Sequence, residues 1–326
     1  MNRILKSSIV VLVGFASLSA SAADSKQRAA LAHDAGRNAL NKREVAVLRR
    51  GAGPGNGPAA DAMLSALDAA GHATGAAKAK RVQAGDRVLS QGSGWALEAQ
   101  GEGTRVRFHK LGFQGRGVPA DQKPGLEQLQ DRGEAFVKKE LASVVSLGAG
   151  ETLVPFKTRY LKQGMQAQGG KSTESVTAAT VVFTRAIDGV PVLGEGSKAA
   201  VTFDMDGKVI GFDVDWAKLQ RTGTRQVTVG SAEVGRRHGQ LQALNGQSPN
   251  ATLRRMECGY YDAGYLASRA GTLVQPACVY DEVEEKAGLG AGQGKFRSAK
   301  ITAVPLGASF EADEALPEAL QLKSVK

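Results

Sequence analysis

The chain has 326 residues, with 42 Lys and Arg against 32 Asp and Glu, and a formal net charge of +10 at neutral pH. Aromatic residues make up only 5% of it, so its core must rest on Val, Leu and Ala, and side chains for stacking on nucleic-acid bases are scarce. The length is sufficient for two modest domains.

Residues 1–23 have the three parts of a cleavable secretory signal peptide. Arg3 and Lys6 precede an apolar run over 9–16, and small residues follow it over 20–23. The apolar run is shorter than the ~20 residues that a membrane-spanning helix needs. We therefore predict an exported protein, periplasmic or extracellular, with no membrane span. Loss of Arg3 and Lys6 would reduce the net charge from +10 to +8.

Residues 24–84 form an Ala- and Gly-rich basic segment, which we predict to be partly helical or disordered. Residues 24–48 have a helical composition, residues 51–60 are rich in Gly and Pro like a linker, and residues 61–82 could form a weak helix. The positive charge favours a solvated arm, with weak affinity for anionic polymers as the alternative. Because the segment contains no Phe, Trp or Tyr, we expect no nucleic-acid partner.

From Gly85 the apolar residues alternate with polar ones, as they do in a strand with one buried face. The alternation runs on both sides of a Gly-Glu-Gly turn at 101–103 and predicts a β-hairpin. The apolar positions are Trp95, Leu97, Ala99, Val106 and Phe108. We interpret Trp95 as a core residue rather than a binding platform.

A helix followed by a run of antiparallel strands is predicted twice along the rest of the chain. The first helix begins after Pro124 and is followed by strands near 153–161, 176–186, 198–204 and 208–214. The second helix, near 232–244, is followed by strands near 252–261, 272–283 and 296–306. This order predicts an α+β fold in which antiparallel sheets are each packed against a helix. The two successive units would span 85–225, which includes the hairpin, and 226–326.

Cys258 and Cys278 are the two cysteines of the chain, so one intramolecular pairing exists. In an exported protein we predict a structural disulfide between them, across two antiparallel strands. It would close a loop of about twenty residues and contribute about 3 kcal/mol. A redox role is the alternative, but the chain lacks the CxxC spacing typical of one.

The stretch 183–212 resembles the PepSY and propeptide-type modules of secreted proteins, and with the preceding helix the resemblance covers roughly 123–216. An aromatic strand, a Gly-X-Pro-Val turn, a further strand and an Asp-X-Asp-Gly-Lys-Val segment carry it. The matching residues are Phe183, Gly189, Val190, Pro191, Val192, Val201, Asp204, Asp206, Gly207, Lys208 and Val209. The resemblance implies an inhibitory, chaperone-like or regulatory role towards a secreted peptidase or an envelope component. No metalloprotease domain follows within these residues, so we expect the target to be met in trans.

The two Asp-Gly pairs of that stretch have two interpretations. Asp188-Gly189 and Asp206-Gly207 can each occupy the two positive-φ positions of a tight hairpin turn, which makes the stretch a meander. A calcium loop starting at Thr202 and ending at Asp213 is the alternative. The first position is Thr and the last is Asp rather than a bidentate Glu, so we favour the hairpins and predict no metal site.

Motifs that would identify an enzyme or a cofactor site are missing from the sequence. There is no HExxH, no Gly-x-Ser-x-Gly and no βαβ unit around the glycines at 115–120 or 288–294, so we predict neither catalytic residues nor cofactors. The acids at 281–285 are interpreted as a solvated rim. A hydrolase of unrecognised type would need His238 and these acids to lie within about 10 Å of each other, since a general base must reach its proton.

We therefore predict an exported non-enzymatic protein that acts through protein or peptide binding, for which strand addition at an exposed sheet edge is one mechanism. Two alternatives remain open. The protein could bind a small ligand in a cleft between the two units, or it could be the unrecognised hydrolase.

Overall fold

The computed structural model describes residue 40 and residues 43–166, 172–244, 251–266, 270–286 and 296–308. These ranges contain fourteen strands and three α-helices. The helices are α1 (Asn56–Ala69), α2 (Leu126–Lys139) and α3 (Ser231–Leu244). The strands are β1 (Glu44–Arg50), β2 (Lys80–Ala84), β3 (Arg87–Gly92), β4 (Trp95–Gln100), β5 (Arg105–Lys110), β6 (Glu151–Gln166), β7 (Ser172–Ile187), β8 (Val190–Leu193), β9 (Lys198–Asp204), β10 (Val209–Asp215), β11 (Leu219–Val227), β12 (Thr252–Tyr261), β13 (Leu273–Lys286) and β14 (Phe296–Pro305). The predicted signal peptide lies outside the described residues.

The N-terminal part of the sheet is antiparallel, in the spatial order β2, β3, β4, β5, β10, β9, β7 and β6. One face carries alternate apolar residues of these strands and is covered by α1 and α2. Trp95, Phe108 and Phe212 stack in series within this first core, with ring centroids 6.4 and 5.6 Å apart. The predicted hairpin and the core role of Trp95, which is 2% exposed, are confirmed.

The C-terminal part continues the sheet. Strand β8 forms a tight hairpin with β7 and pairs in parallel with β12, where Val192 lies opposite Tyr260. Strands β12, β13 and β14 are antiparallel, and β1 lies between β13 and β11. Helix α3 covers this part, and Val234 and Leu241 enter a second core with the disulfide cysteines.

The predicted α+β fold, with separate antiparallel sheets each packed against a helix, is wrong. The fourteen strands join into one large mixed sheet because β8 pairs with both β7 and β12 and because β1 joins β11 to β13. The sequence concealed this connection, since β8 has four residues that look like part of a turn and β11 is almost entirely polar.

Local predictions had mixed outcomes. Both later helices and the strands from β6 to β14 lie close to the predicted positions, but β8 and β11 were missed. Residues 44–48, the end of the stretch with a helical composition, lie in strand β1 instead, and α1 begins inside the segment predicted as a linker. The glycine-rich loop at 288–294 lies outside the described residues.

The disulfide between Cys258 and Cys278 is confirmed. The two residues lie directly opposite each other on β12 and β13. Both are buried in the second core, so the bond links two central strands of the C-terminal part.

Candidate functional site

A buried ionic cluster holds the two cores together. Arg50 at the end of β1 donates hydrogen bonds to Asp215 at the end of β10 and to Asp262 just after β12, both at 2.7 Å. The three residues are at most 5% exposed. Burial lowers the pKa of Arg50, but the charges of Asp262 and Asp215 outweigh it and the net direction is upward. The polar groups are satisfied internally, so this cluster is a structural joint.

A second buried cation supports the same joint. Arg185 on β7 is fully buried, pairs with Glu151 at 3.2 Å and donates to the carbonyl oxygen of Ala217 at 2.6 Å. Its guanidinium lies 4.2 Å from the ring centroid of Trp216. The junction between the cores is thus filled by protein side chains at Arg50 and Arg185, the region where the alternative hypothesis of a small-ligand protein placed a cleft.

Beside this joint, a side chain of β12 contacts a side chain of β6. The ring of Phe156 on β6 lies between two cations, with Lys198 Nζ at 4.7 Å and the Arg255 guanidinium at 5.0 Å from its centroid. Lys198 also donates to Thr184 Oγ1 and to the carbonyl oxygen of Val192, both at 3.0 Å. Burial lowers the pKa of Lys198 to about 8, although nearby acids favour its charged form.

Four exposed cations lie at the contact between β6 and β12. They are Lys157 and Arg159 on β6 and Arg254 and Arg255 on β12, and we call them with Phe156 the β6–β12 surface. The pKa of Lys157 is lowered, first by burial and then by the charges of Arg159, Arg255 and Arg254, while Asp281 opposes the shift. The cations therefore lie close enough to repel one another.

Strand β6 is also an outer strand. It pairs with β7 along one edge, and no strand of the described ranges pairs with its other edge. Register shifts occur between Pro155 and Lys157 and between Leu161 and Lys162, so the regular stretch between them is 157–161. A proline near an irregularity is typical of an edge strand.

The structure brings His238 and one of the predicted acids together. His238 Nε2 lies 3.2 Å from Glu282 Oε2, and Gln242 donates to Glu282 Oε1 at 2.8 Å. The imidazole stacks on Tyr280, with ring centroids 3.7 Å apart. Asp281 is on the opposite face of β13, near Lys157. The separation requirement for a hydrolase is met by His238 and Glu282, but His238 projects from α3 onto β13 and Glu282 is buried beneath the helix, so the pair holds the helix to the sheet.

The residues with partial calcium-loop spacing are used by a turn and by ion pairs. Asp204 accepts hydrogen bonds from the backbone N–H groups of Asp206, at 3.0 Å, and Lys208, at 2.7 Å. Asp213 accepts bonds of 2.9 Å from two arginines on β5. Within the described part of the chain, no group of three or more His, Cys, Asp or Glu side chains is placed to hold a metal ion.

Two further features concern possible ligands and membranes. A shallow depression of about 340 Å³ lies between α2 and the β9–β10 turn, lined among others by Arg132, Lys139, Phe136 and Phe203. Of the helices in the described ranges, none combines the length and the apolar composition needed to cross a bilayer.

No family model and no curated protein matches this sequence. Among solved structures, the chain is similar to an uncharacterized protein from Eubacterium rectale ATCC 33656. The TM-score is 0.52 at 9% sequence identity, and the alignment covers 82% of this chain and 86% of that chain. At this identity the similarity shows the fold alone.

Sequence reasoning located the strands of the β6–β12 surface but missed the surface itself. Lys157 and Arg159 are two positions apart, and this spacing places them on one face of a strand. That local signal was present in the sequence. Nothing local indicates that β12 crosses to β6, because about a hundred residues separate the two strands.

Proposed function

We propose that this protein binds an extended segment of another protein by strand addition along β6, without catalysing a reaction. The observation that carries the proposal is the open edge of β6, a sixteen-residue strand at the margin of the sheet. An unpaired edge presents backbone N–H and C=O groups to a further strand.

The stretch 157–161 has the geometry that such pairing requires. Its five residues keep one register with β7, from Lys157 opposite Val182 to Leu161 opposite Ala178. In an antiparallel pair, alternate residues direct their backbone groups away from the partner strand. The side chain of Leu161 is 59% exposed, which offers an apolar contact at one end of the stretch.

Within the described ranges β2, β11 and β14 are also outer strands, and the first two are poorer templates than β6. Strand β2 has five residues, and Arg81 within it is already engaged by Asp61 in an exposed ion pair. Strand β11 is interrupted by Gly223, which has a φ of 80°, and by a register shift against β1. A glycine kink and a register shift break the regular spacing of backbone groups that an added strand needs.

The resemblance to PepSY and propeptide-type modules supports a specific kind of partner. It suggests a secreted peptidase that is inhibited or regulated in trans, and the leader-like sequence at 1–23 suggests that both proteins are exported. The disulfide is compatible with an oxidising compartment.

The test starts from capture of partners by the chain 24–326 from the exported fraction of its own cells, followed by mass spectrometry. Hydrogen exchange of the free protein and of the complex then locates the contact. We expect alternate amides of 157–161 to become protected in the complex, because an added strand would bond the N–H groups that point away from β7.

The amides of β2 and β11 serve as internal controls, since they lie on other edges of the same sheet. Protection confined to those strands, or to helix surfaces, would contradict strand addition at β6. A captured peptidase should also lose activity when the protein is added, and unchanged activity would contradict the proposed regulation.

A further inference from the structure

Three cations of the β6–β12 surface have no carboxylate within ion-pair distance among the described residues, although Asp281 lies near Lys157 and favours its charged form. Lys157, Arg159 and Arg254 form no ion pair with any carboxylate of the described residues, and all three side chains are exposed. Arg255 beside them is paired with Glu257. The free positive charge is therefore concentrated on three side chains.

Other arginines on the same sheet have an acidic partner. Arg105 and Arg107 on β5 share Asp213, and Arg185 on β7 is paired with Glu151. Cations that lie close together without a negative charge between them repel each other and raise the free energy of the folded protein. An arrangement that keeps such charges together at a free edge suits an anionic partner.

The spacing of these cations indicates where an added strand would carry its acidic residues. Lys157 and Arg159 are on one face of β6, about 7 Å apart along the strand. A strand added alongside would place its own side chains opposite them, at the distance where oppositely charged cross-strand pairs attract. The next position on this face is Leu161, which is apolar and exposed.

We infer that the β6–β12 surface binds a partner segment with two carboxylates at alternate positions, opposite Lys157 and Arg159, and an apolar residue opposite Leu161. Arg254 from β12 contributes a third positive charge, beside the carboxylate that lies opposite Lys157. For an antiparallel strand, the order in the partner is apolar, any residue, acidic, any residue, acidic. This inference rests on the proposed strand addition and names the chemistry of the partner.

The test uses three capped seven-residue peptides and fluorescence anisotropy. The first, TVTETET, has the inferred pattern; the second, TVTQTQT, lacks the charges; the third is TVTETET with N-methylated backbone amides, which cannot complete a β-ladder. We expect the first to bind, and the second to bind about tenfold more weakly, from the modest contribution of each exposed ion pair. Affinity for the first should also fall as salt is raised.

A matched pair of protein variants controls for net charge. Lys157→Gln, Arg159→Gln and Arg254→Gln together should weaken binding of TVTETET about tenfold. Lys78→Gln, Lys80→Gln and Lys218→Gln remove the same charge from exposed positions elsewhere and should leave it unchanged. All six substitutions are on the surface, and equal melting temperatures confirm that both variants fold.

The outcomes separate the two proposals. Equal binding of TVTETET and TVTQTQT would overturn the acidic preference and leave strand addition standing. Equal binding of the methylated and unmethylated acidic peptides would overturn strand addition and leave the preference for acids. Failure of every peptide to bind would overturn both. Tighter binding of heparin, lost in the same triple variant, would overturn the assignment to a peptide.

Discussion

Arg50 and Asp262 are 212 positions apart in the sequence and form a buried ion pair of 2.7 Å. Asp262 also accepts a hydrogen bond from Ser197 Oγ at 3.1 Å, and its backbone bonds to both Leu193 and Gly196. One ion pair thus connects β1, the start of β9 and the end of β12.

Substitution of Arg50 by Met should destabilise the protein by about 3–5 kcal/mol. It leaves Asp215 and Asp262 buried beside each other without their shared cation, which is the costly way to break a buried ion pair. Arg81→Met is the control, because Arg81 and Asp61 form an exposed pair and its loss should cost at most about 1 kcal/mol. Urea unfolding measures both, and equal stabilities of the two variants would contradict the structural role of Arg50.

Lys198 should make stability depend on pH in a defined window. Its pKa is about 8 in the folded protein against an ordinary value of 10.5, so between these values the unfolded chain binds a proton that the folded protein does not. The free energy of unfolding should therefore rise with pH from about 8 to 10.5. Lys198→Met should abolish this rise.

Comparison of wild type and Lys198→Met isolates the lysine from other groups. Burial raises the pKa of Tyr160, Tyr260 and Tyr265, which lowers stability above about pH 10 in both proteins alike. Chemical denaturation at pH 7, 8, 9 and 10 gives the difference. Parallel stability curves for the two proteins would show that Lys198 titrates normally.

Two glycine-to-alanine substitutions in helices should have opposite effects. A Cβ at Gly133 in α2 would lie 2.8 Å from the ring of Phe183, a fully buried core residue, so Gly133→Ala should be destabilising. A Cβ at Gly235 in α3 would meet nothing within 4 Å, so Gly235→Ala should stabilise the protein by up to about 1 kcal/mol. Melting temperatures that change in the same direction would contradict the packing of α2 on β7.

Loss of the disulfide should cost about 3 kcal/mol, the value that a loop of this length gives from chain entropy. The comparison is between wild type and the double variant Cys258→Ala with Cys278→Ala in urea. A reductant should lower the stability of the wild type and leave the double variant unchanged. If it affects neither protein, the bond does not form in solution.

The elements that were predicted well have their determinants close together in sequence. Strands β7 and β8 meet at Asp188 and Gly189, whose φ values of 50° and 77° are those expected for a tight hairpin turn. At the β9–β10 turn only Gly207 has a positive φ, of 80°, because the side chain of Asp204 organises that turn through hydrogen bonds to the backbone. Alternation and turn residues were sufficient to predict β7, β9, β10 and both turns, although β8 itself was missed.

The joint and the candidate surface were not predictable in this way. Strand β1 looked like the end of a helix because its strand partners, β11 and β13, come more than 150 residues later. Arg50 is 2% exposed, whereas an arginine is expected at the surface unless its partners are known. Both carboxylates that permit its burial come from distant segments, so no local pattern identifies them.

The position of β1 also constrains the order in which the protein can fold. Glu44 lies opposite Val227 and Arg49 opposite Leu273, so β1, the first strand of the described ranges, gains its neighbours late in synthesis. Until 219–227 are available, both edges of its apolar stretch 45–48 are open to pairing with other chains, and one edge stays partly open until 273–274 follow. Such remote pairings slow folding, because a large loop must close before its contacts are made. A nascent chain therefore needs protection at its N-terminal end for most of its synthesis.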